Sequence, residues 1–517
     1  MQLKRLICAM LLSTTVATQA QELKSVSYDD IAQGQFAARG IAGIRSMKDG
    51  EHYTTQQGNA VIRHRYSDGA VVDTIFNVET QPLKIQIEGY SMSDDENMML
   101  FPTQREPIYR HSSRSNFYVY DRVKDSLFTL SNNGKQQEAT ISPNGKYAAF
   151  VRENDLWYVD FDKHTEVRIT YDGRAGEIIN GIPDWVYEEE YSFSRAYQWS
   201  PSSDAIAYYR FDERNVKEYN MNYFGQELYP ENVTFKYPKA GEENSKVQIK
   251  VYRLSSDRHT TINLGSDEDI YIPRIEWTEL DDMLAVHRLN RLQNNYDLLL
   301  ANTISGSAKV IYNEVDPKYI ERIDDQKITF LPDGKRFIVK NENDGYMHLY
   351  LYDMTGRMIN QITRGEWEVI DICGVDNRRS QIYYTSSEIS PLQSNLYSIN
   401  FAGTKKRLLS REGTNHISMS EGCKYYICHN SRLDQPTVAT LHKSSGEQVR
   451  VLEDNAALVA RLKEYALPSK ELFSFTTPEG VSLNGYILKP VDFDSTAVYP
   501  LMMVQYSGPG SQSVADQ

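Results

Sequence analysis

Short polar turns recur along this chain, each followed by a run dominated by Tyr, Phe, Val, Ile and Ala. Ser142-Pro143-Asn144-Gly145-Lys146 leads into YAAFV, and Leu331-Pro332-Asp333-Gly334-Lys335 into RFIVK. Ser200-Pro201-Ser202-Ser203-Asp204 leads into AIAYY, and Ser420-Glu421-Gly422 into CKYYIC. Looser copies begin at Met47, Met92, Thr278 and Val375. Gly or Asn in such a turn supplies the positive φ of a tight hairpin, and the apolar run supplies a strand. With Asp49, Asp95, Asn144, Asp204, Asp281, Asp333, Asn377 and Glu421 as markers, the gaps are 46, 49, 60, 77, 52, 44 and 44 residues. Eight turns at this period predict an eight-bladed β-propeller with one four-stranded sheet per blade. A two-sheet sandwich is the alternative, but it would not produce eight evenly spaced hairpins. The 77-residue gap holds an insertion over roughly 213–246, which reads as an arm or loop leaving its blade.

The pattern stops near Asp454. ALVARLKEYALP (457–468) then predicts a short amphipathic helix with Ala457, Val459, Leu462, Tyr465 and Ala466 near one face. LFSFTTPEGVSLNGYILKP (472–490) predicts a hairpin with a Pro-Glu-Gly turn. YPLMMVQYSGPG (499–510) reads as an apolar strand buried on both faces and ending in a Gly-rich loop, which suits the central sheet of an α/β domain. The expected order is a leader over 1–20, a propeller over 21–456, and a linker helix with the start of an α/β domain over 457–517.

Composition narrows the functional classes. Of 517 residues, 56 are Lys or Arg and 70 are Asp or Glu, a net charge of −14. An acidic chain argues against nucleic-acid binding, which needs a positive face. The 36 Tyr outnumber 17 Phe. Tyr suits strands that are apolar along the ring and polar at the tip, and an aromatic-rich cavity is compatible with the same count. The one strongly apolar segment is N-terminal. Lys4 and Arg5 precede an apolar run over 6–17, too short for a bilayer span, and Ala20 follows as a small residue, as in a cleaved secretory signal. Export to the periplasm or cell surface is therefore expected, with no membrane span. Past that point only Cys373, Cys423 and Cys428 remain, too few for a disulfide scaffold or a cysteine zinc site. They are expected to be buried structural thiols.

The densest chemical cluster is Asp184-Trp185-Val186-Tyr187-Glu188-Glu189-Glu190-Tyr191. Adjacent carboxylates among aromatics are costly unless solvated or paired with a cation. The cluster is either an exposed helical turn or a trap for a positive group. Arg110, in PIYRHSSRSNFYVYD, is either a surface arginine or a holder of a peptide carbonyl. Tyr506 ends the apolar run at SGPG, where its hydroxyl either packs at a turn or donates to a developing oxyanion. No GxSxG, P-loop, HExxH, EF-hand or post-strand GxGxxG occurs, and the ten His lack metal-ligand spacing, so no cofactor or metal is expected.

Six motifs, DWVYEEE (184–190), YPKAGEEN (237–244), TRGEWEVI (363–370), LEDNAAL (452–458), PSKEL (468–472) and QYSGPGSQ (505–512), together resemble the dipeptidyl peptidase IV branch of the prolyl oligopeptidase family. The resemblance covers nearly all of the chain after the leader and is closest in style to secreted bacterial members. It implies a propeller capping an α/β-hydrolase domain, and a serine exopeptidase that releases Xaa-Pro or Xaa-Ala dipeptides from peptides with a free N-terminus. By the same resemblance Glu189 and Glu190 bind the substrate α-ammonium, Arg110 holds the carbonyl of the second residue from the scissile bond, and Tyr506 stabilises the oxyanion. The 213–246 insertion corresponds to the arm used in family homodimers. The family's Ser, Asp and His triad has no counterpart in these 517 residues, so this chain by itself is expected to be inactive. Ser507 and Ser511 match no nucleophile position, and a further family aromatic and arginine have no clear match around 321–325. A tripeptidyl-releasing relative and a non-catalytic peptide-binding propeller are the alternatives.

Overall fold

The structure is a computed structural model and describes residues 23–280, 282–320, 323–506, 508 and 511–517. The leader and part of the 321–325 region lie outside the described residues. Two compact units emerge: 40–454 with 504–517, and 23–39 with 455–503.

The larger unit holds eight antiparallel blades in sequence order, over 45–77, 91–129, 136–168, 178–261, 270–315, 328–361, 369–408 and 414–453. The hairpin count read from the sequence is thus the blade count. The recurring serine explains the spacing. Ser93, Ser142, Ser200 and Ser420 each accept, through Oγ, the N–H five residues on, from Met98, Tyr147, Ala205 and Tyr425. Each hydroxyl satisfies a backbone donor at a strand start that the turn would otherwise leave unpaired. Gly145 in one of these turns and Gly334 in the Leu331–Lys335 turn take φ of 69° and 63°, a region that a Cβ disfavours.

Neighbouring blades share cores around the whole ring. Val61, Phe76, Met99 and Phe101 join blades one and two; Leu100, Val119, Ala148 and Phe150 join two and three. Val151, Leu156, Tyr197 and Ile206 join three and four, and one large cluster continues through blades four, five and six. Ile338, Leu351, Ile382 and Tyr384 join six and seven; Tyr383, Leu396, Tyr426 and Cys428 join seven and eight. Tyr53, Tyr66, Ile427 and Leu441 close the ring between blades eight and one. Among the described residues no strand is exchanged at that junction. Tyr66 stacks on Tyr425 at 5.4 Å, Lys424 pairs with Glu51, and the Glu421 N–H donates to Ser46 Oγ. The tyrosine surplus is thereby accounted for: nine of the twelve largest fully buried side chains described are Tyr.

Three irregularities shape the site. Blades two and three merge into one sheet, because Gln136 and Gln137 pair with Ser115 and Arg114. The first strand of blade four is split into Ile178–Asn180 and Tyr197–Trp199, and the Trp185–Tyr191 helix occupies the gap. The expected insertion in the same blade is a two-stranded arm, Glu218–Tyr223 paired with Glu231–Lys236.

The smaller unit contains the predicted hairpin, Ser469–Thr476 with Ser482–Lys489. Its helix is shorter than the apolar pattern suggests. It runs Ala456–Leu462 and stops, because Tyr465–Ala466 instead pairs in parallel with Lys24–Ser25. The run from Tyr499 onward is also a correction: its described residues form no strand, and Leu501, Met502, Met503 and Val504 are exposed. A strand buries both faces only inside a sheet covered on both sides, and among the described residues no strand pairs with this run. Cys423 and Cys428 are buried and Cys373 is half-buried, all three as free thiols. Burial pushes each thiol up to about 12. Among the described residues no helix is long and apolar enough to cross a membrane.

Candidate functional site

The site begins with Asp184, which caps the Trp185–Tyr191 helix. The Tyr187 N–H donates to Asp184 Oδ1 at 2.9 Å, and Ser245 Oγ donates to the other carboxylate oxygen. Asp184 is buried, and that desolvation raises its carboxyl pKa despite the donors that favour the charged form. The helix packs through Tyr187 and Tyr191 onto Tyr209, Phe211 and Tyr271. The Tyr187 hydroxyl accepts the Ile272 N–H at 2.9 Å, tying the helix to blade five. Ser192 ends the helix in the left-handed region, at φ 56°.

The three consecutive glutamates meet three different surroundings. Glu188 is 2% exposed, and its Oε1 accepts the backbone N–H groups of His111 and Ser112, both at 2.8 Å. Glu189 is half-buried and makes a two-point pair with Arg110: Nε to Oε2 at 3.0 Å and Nη2 to Oε1 at 2.7 Å. Glu190 is exposed, with no hydrogen bond or ion pair to a described residue. Arg110 reaches the helix from the tip of a long hairpin, Met98–Pro107 with Ser113–Asp121.

Two cavities meet at Arg110. One, of 1120 Å³, lies along the arm and is walled by Tyr109, Trp185, Tyr223, Phe235 and Tyr237, with Glu189 and Arg110 also on its lining. Trp185 and Tyr237 approach to 4.4 Å between ring centroids. The other, of 580 Å³, is lined by Arg105, Arg110, Glu138, Arg195, Arg274 and Asp325, among others. Buried and half-buried acids stand nearby. Desolvation, with the Asp184 charge adding to it, lifts Glu213 to about 7, and desolvation raises Glu138. Desolvation and the Asp325 charge lift Glu276 to about 8.

Of the residues singled out in the sequence, Arg110, Glu189 and Glu190 are thus brought to one place. Tyr506 is not. It is 75% exposed, and no described hydrogen bond joins it to the three. Sequence reasoning missed the separate role of Glu188 and the aromatic wall. The YPKAGEEN motif carried a signal for the wall. Tyr237 stands against Trp185, Asn244 donates to the Tyr271 hydroxyl at 2.7 Å, and the next residue, Ser245, holds the Asp184 cap. Among the described residues no cluster of three or more His, Cys, Asp or Glu could hold a metal ion.

Comparison with known proteins places this geometry. Residues 93–437 match the family model described as the dipeptidyl peptidase IV (DPP IV) N-terminal region. A probable dipeptidyl peptidase 4 of Emericella nidulans is 30% identical over 483 residues, which cover 87% of this chain and 62% of that protein. Its counterpart in Aspergillus flavus is 29% identical over 504 residues, covering 92% and 64%. The chain thus spans less than two thirds of the length of these curated relatives. The crystal structure of Porphyromonas gingivalis dipeptidyl peptidase 4 superposes with a TM-score of 0.90 at 40% identity, covering 95% of this chain and 71% of that one. A putative dipeptidyl aminopeptidase IV from Bacteroides ovatus, at 23% identity and a TM-score of 0.76, shares the fold, covering 93% and 69%.

Proposed function

The chain belongs to the dipeptidyl peptidase IV family, matched through its N-terminal region, and from that premise we propose that it is the substrate-gating part of a serine exopeptidase releasing Xaa-Pro or Xaa-Ala dipeptides. One observation carries the proposal. Glu189 is aligned by a two-point pair with Arg110, and the adjacent Glu190 is unpartnered and open to solvent. A substrate α-ammonium donates to both carboxylates through short charge-assisted hydrogen bonds. Arg110 then turns part of its guanidinium to the carbonyl of the second residue from the scissile bond. Because the carboxylates fix the N-terminus, the chain length between trap and nucleophile sets how much is released. Tyr506 supplies its hydroxyl to the tetrahedral oxyanion, a bond that strengthens in the transition state. The nucleophile is assigned to no residue of this chain, and the chain alone is expected not to turn over substrate. Export through the 1–20 leader and a homodimer formed through the 218–236 arm belong to the same proposal.

The test uses the protein expressed from its complete reading frame. It is expected to release Gly-Pro from a chromogenic amide and to ignore the N-acetylated amide. Replacing Glu189 or Glu190 by Ala is expected to lower kcat/KM by about 100-fold or more, as loss of charge-assisted bonds at a reacting substrate does. Equal rates on the acetylated substrate, or unchanged rates in both variants, would refute the ammonium trap. Preference for Ala-Ala-Pro over Gly-Pro would reassign the protein as a tripeptidyl enzyme.

A further inference from the structure

We infer that Glu188 is a positioning residue that locks the Arg110 hairpin tip onto the glutamate helix, so that the ammonium trap is assembled before substrate arrives. The inference rests on the ammonium-trap reading above and assigns the third glutamate a task of its own.

The tip, residues 108–112, is a protruding turn. Within itself it is held by the Ile108 N–H donating to the Ser112 carbonyl and the Tyr109 N–H donating to Ser112 Oγ. Those bonds fix its shape but not its position. Its position depends on bonds to other elements. The His111 and Ser112 N–H groups converge on one oxygen, Glu188 Oε1, at 2.8 Å each. Arg110, the residue just before them, pairs with Glu189, the residue just after Glu188. Backbone and side chain of the tip are thus gripped by successive residues of one helix. The hairpin below the tip bulges between Thr103 and Glu106, so its register does not run rigidly to its end. A bulged hairpin needs an outside anchor to place an arginine within a few tenths of an ångström, and misplacement on the ångström scale costs a reacting site about 100-fold.

A carboxylate suits this task better than a neutral group of equal size. It accepts two N–H donors at one oxygen, and bonds to a charged acceptor are the stronger class. Glu188 is also shut away from solvent, unlike Glu190. It therefore does not bind substrate itself.

The test compares Glu188→Ala and Glu188→Gln with the parent protein from the complete reading frame. Glutamine keeps an oxygen that accepts both N–H groups; alanine removes it. Glu188→Ala is expected to raise KM for the Gly-Pro amide by about 10- to 100-fold with kcat within about 3-fold, while Glu188→Gln stays within about 3-fold on both. A KM unchanged in Glu188→Ala, or a Gln variant as impaired as Ala, overturns the inference. Amide exchange at His111 and Ser112 decides it without any activity and without a variant. Both amides are expected to be protected in the parent chain, and free exchange at both overturns the clamp. If the parent protein leaves the amide uncleaved while these amides are protected, the peptidase reading fails and the clamp stands.

Discussion

Asp184 is the residue on which the glutamate helix depends, and replacing it gives a measurable and pH-dependent result. Asp184→Ala removes the acceptor for the Tyr187 N–H and for the Ser245 hydroxyl, both in a buried setting. Loss of a helix N-cap costs about 1 kcal/mol, and a buried donor left unpaired costs about 1–3 kcal/mol. The expected loss is therefore about 2–4 kcal/mol. The pH dependence follows from linkage. Burial raises the Asp184 pKa in the folded protein above that of the unfolded chain. Above the ordinary aspartate range the folded state holds a proton that the unfolded state has released. Parent stability from this group therefore falls as pH rises toward the folded pKa. The Asp184→Ala penalty is accordingly largest at and below about pH 4, the ordinary aspartate range, and shrinks as pH rises. Asp184→Asn, which keeps an acceptor and cannot titrate, costs little at pH 5 and gains on the parent at higher pH. Urea unfolding midpoints at pH 5 and pH 8, with amide exchange at Tyr187, measure all of this. A penalty below about 0.5 kcal/mol at pH 5, or one that grows with pH, refutes the reasoning.

Other outcomes follow from the same structure. Glu276 is lifted to about 8 by burial and the Asp325 charge, so parent stability declines as pH rises from about 4.5 to 8 and then levels off. Glu276→Gln is expected to remove a decline on the order of 2–4 kcal/mol, seen as urea midpoints that converge near pH 5 and separate by pH 9; parallel midpoints would refute it. Leu441 is fully buried at the junction of the first and last blades. Leu441→Ala is expected to cost about 2–5 kcal/mol, and a loss under 1 kcal/mol would mean the ring is not closed by this packing. The thiols of Cys423 and Cys428, pushed up to about 12, are expected to resist iodoacetamide in the folded chain and react at once in urea.

Much of the fold was legible because it is repetitive. A polar turn between the first two strands of a blade, capped in four blades by a serine that accepts the N–H five residues on, writes a recurring mark, and eight such turns meant eight blades. The marks say nothing of how strands behave when their partners differ. Tyr465 and Ala466 continue an apolar helical pattern, yet the backbone of Lys24–Ser25 offers them strand pairing, and the helix ends at Leu462. The run around Met502 has the composition of a central strand, but sheet formation is a property of neighbours, and it has none among the described residues. The same limit applies at the site. Arg110, Glu189 and Glu190 were legible as charges, but their meeting depends on a hairpin tip and a helix 79 residues apart in the chain.

The glutamate run shows why residue type alone could not separate trap from scaffold. Each step along an α-helix turns the side chain by about 100°, so three adjacent glutamates spread over about 200° of its circumference. Identical side chains must then face different media. Glu188 points under the hairpin tip and meets backbone donors. Glu189 meets the Arg110 guanidinium. Glu190 turns outward and meets water. Three like charges side by side are tolerated because two of them have separate partners and the third keeps its hydration. In the proposed trap the unpartnered carboxylate meets the incoming cation, and its neighbour shares in binding because an exposed arginine pair yields at modest cost. The buried glutamate cannot be given up in the same way, since its departure would leave two backbone donors unpaired. One helical turn thus carries an anchor, an exchangeable pair and an open charge, and their order is set by geometry that a run of three identical letters does not display.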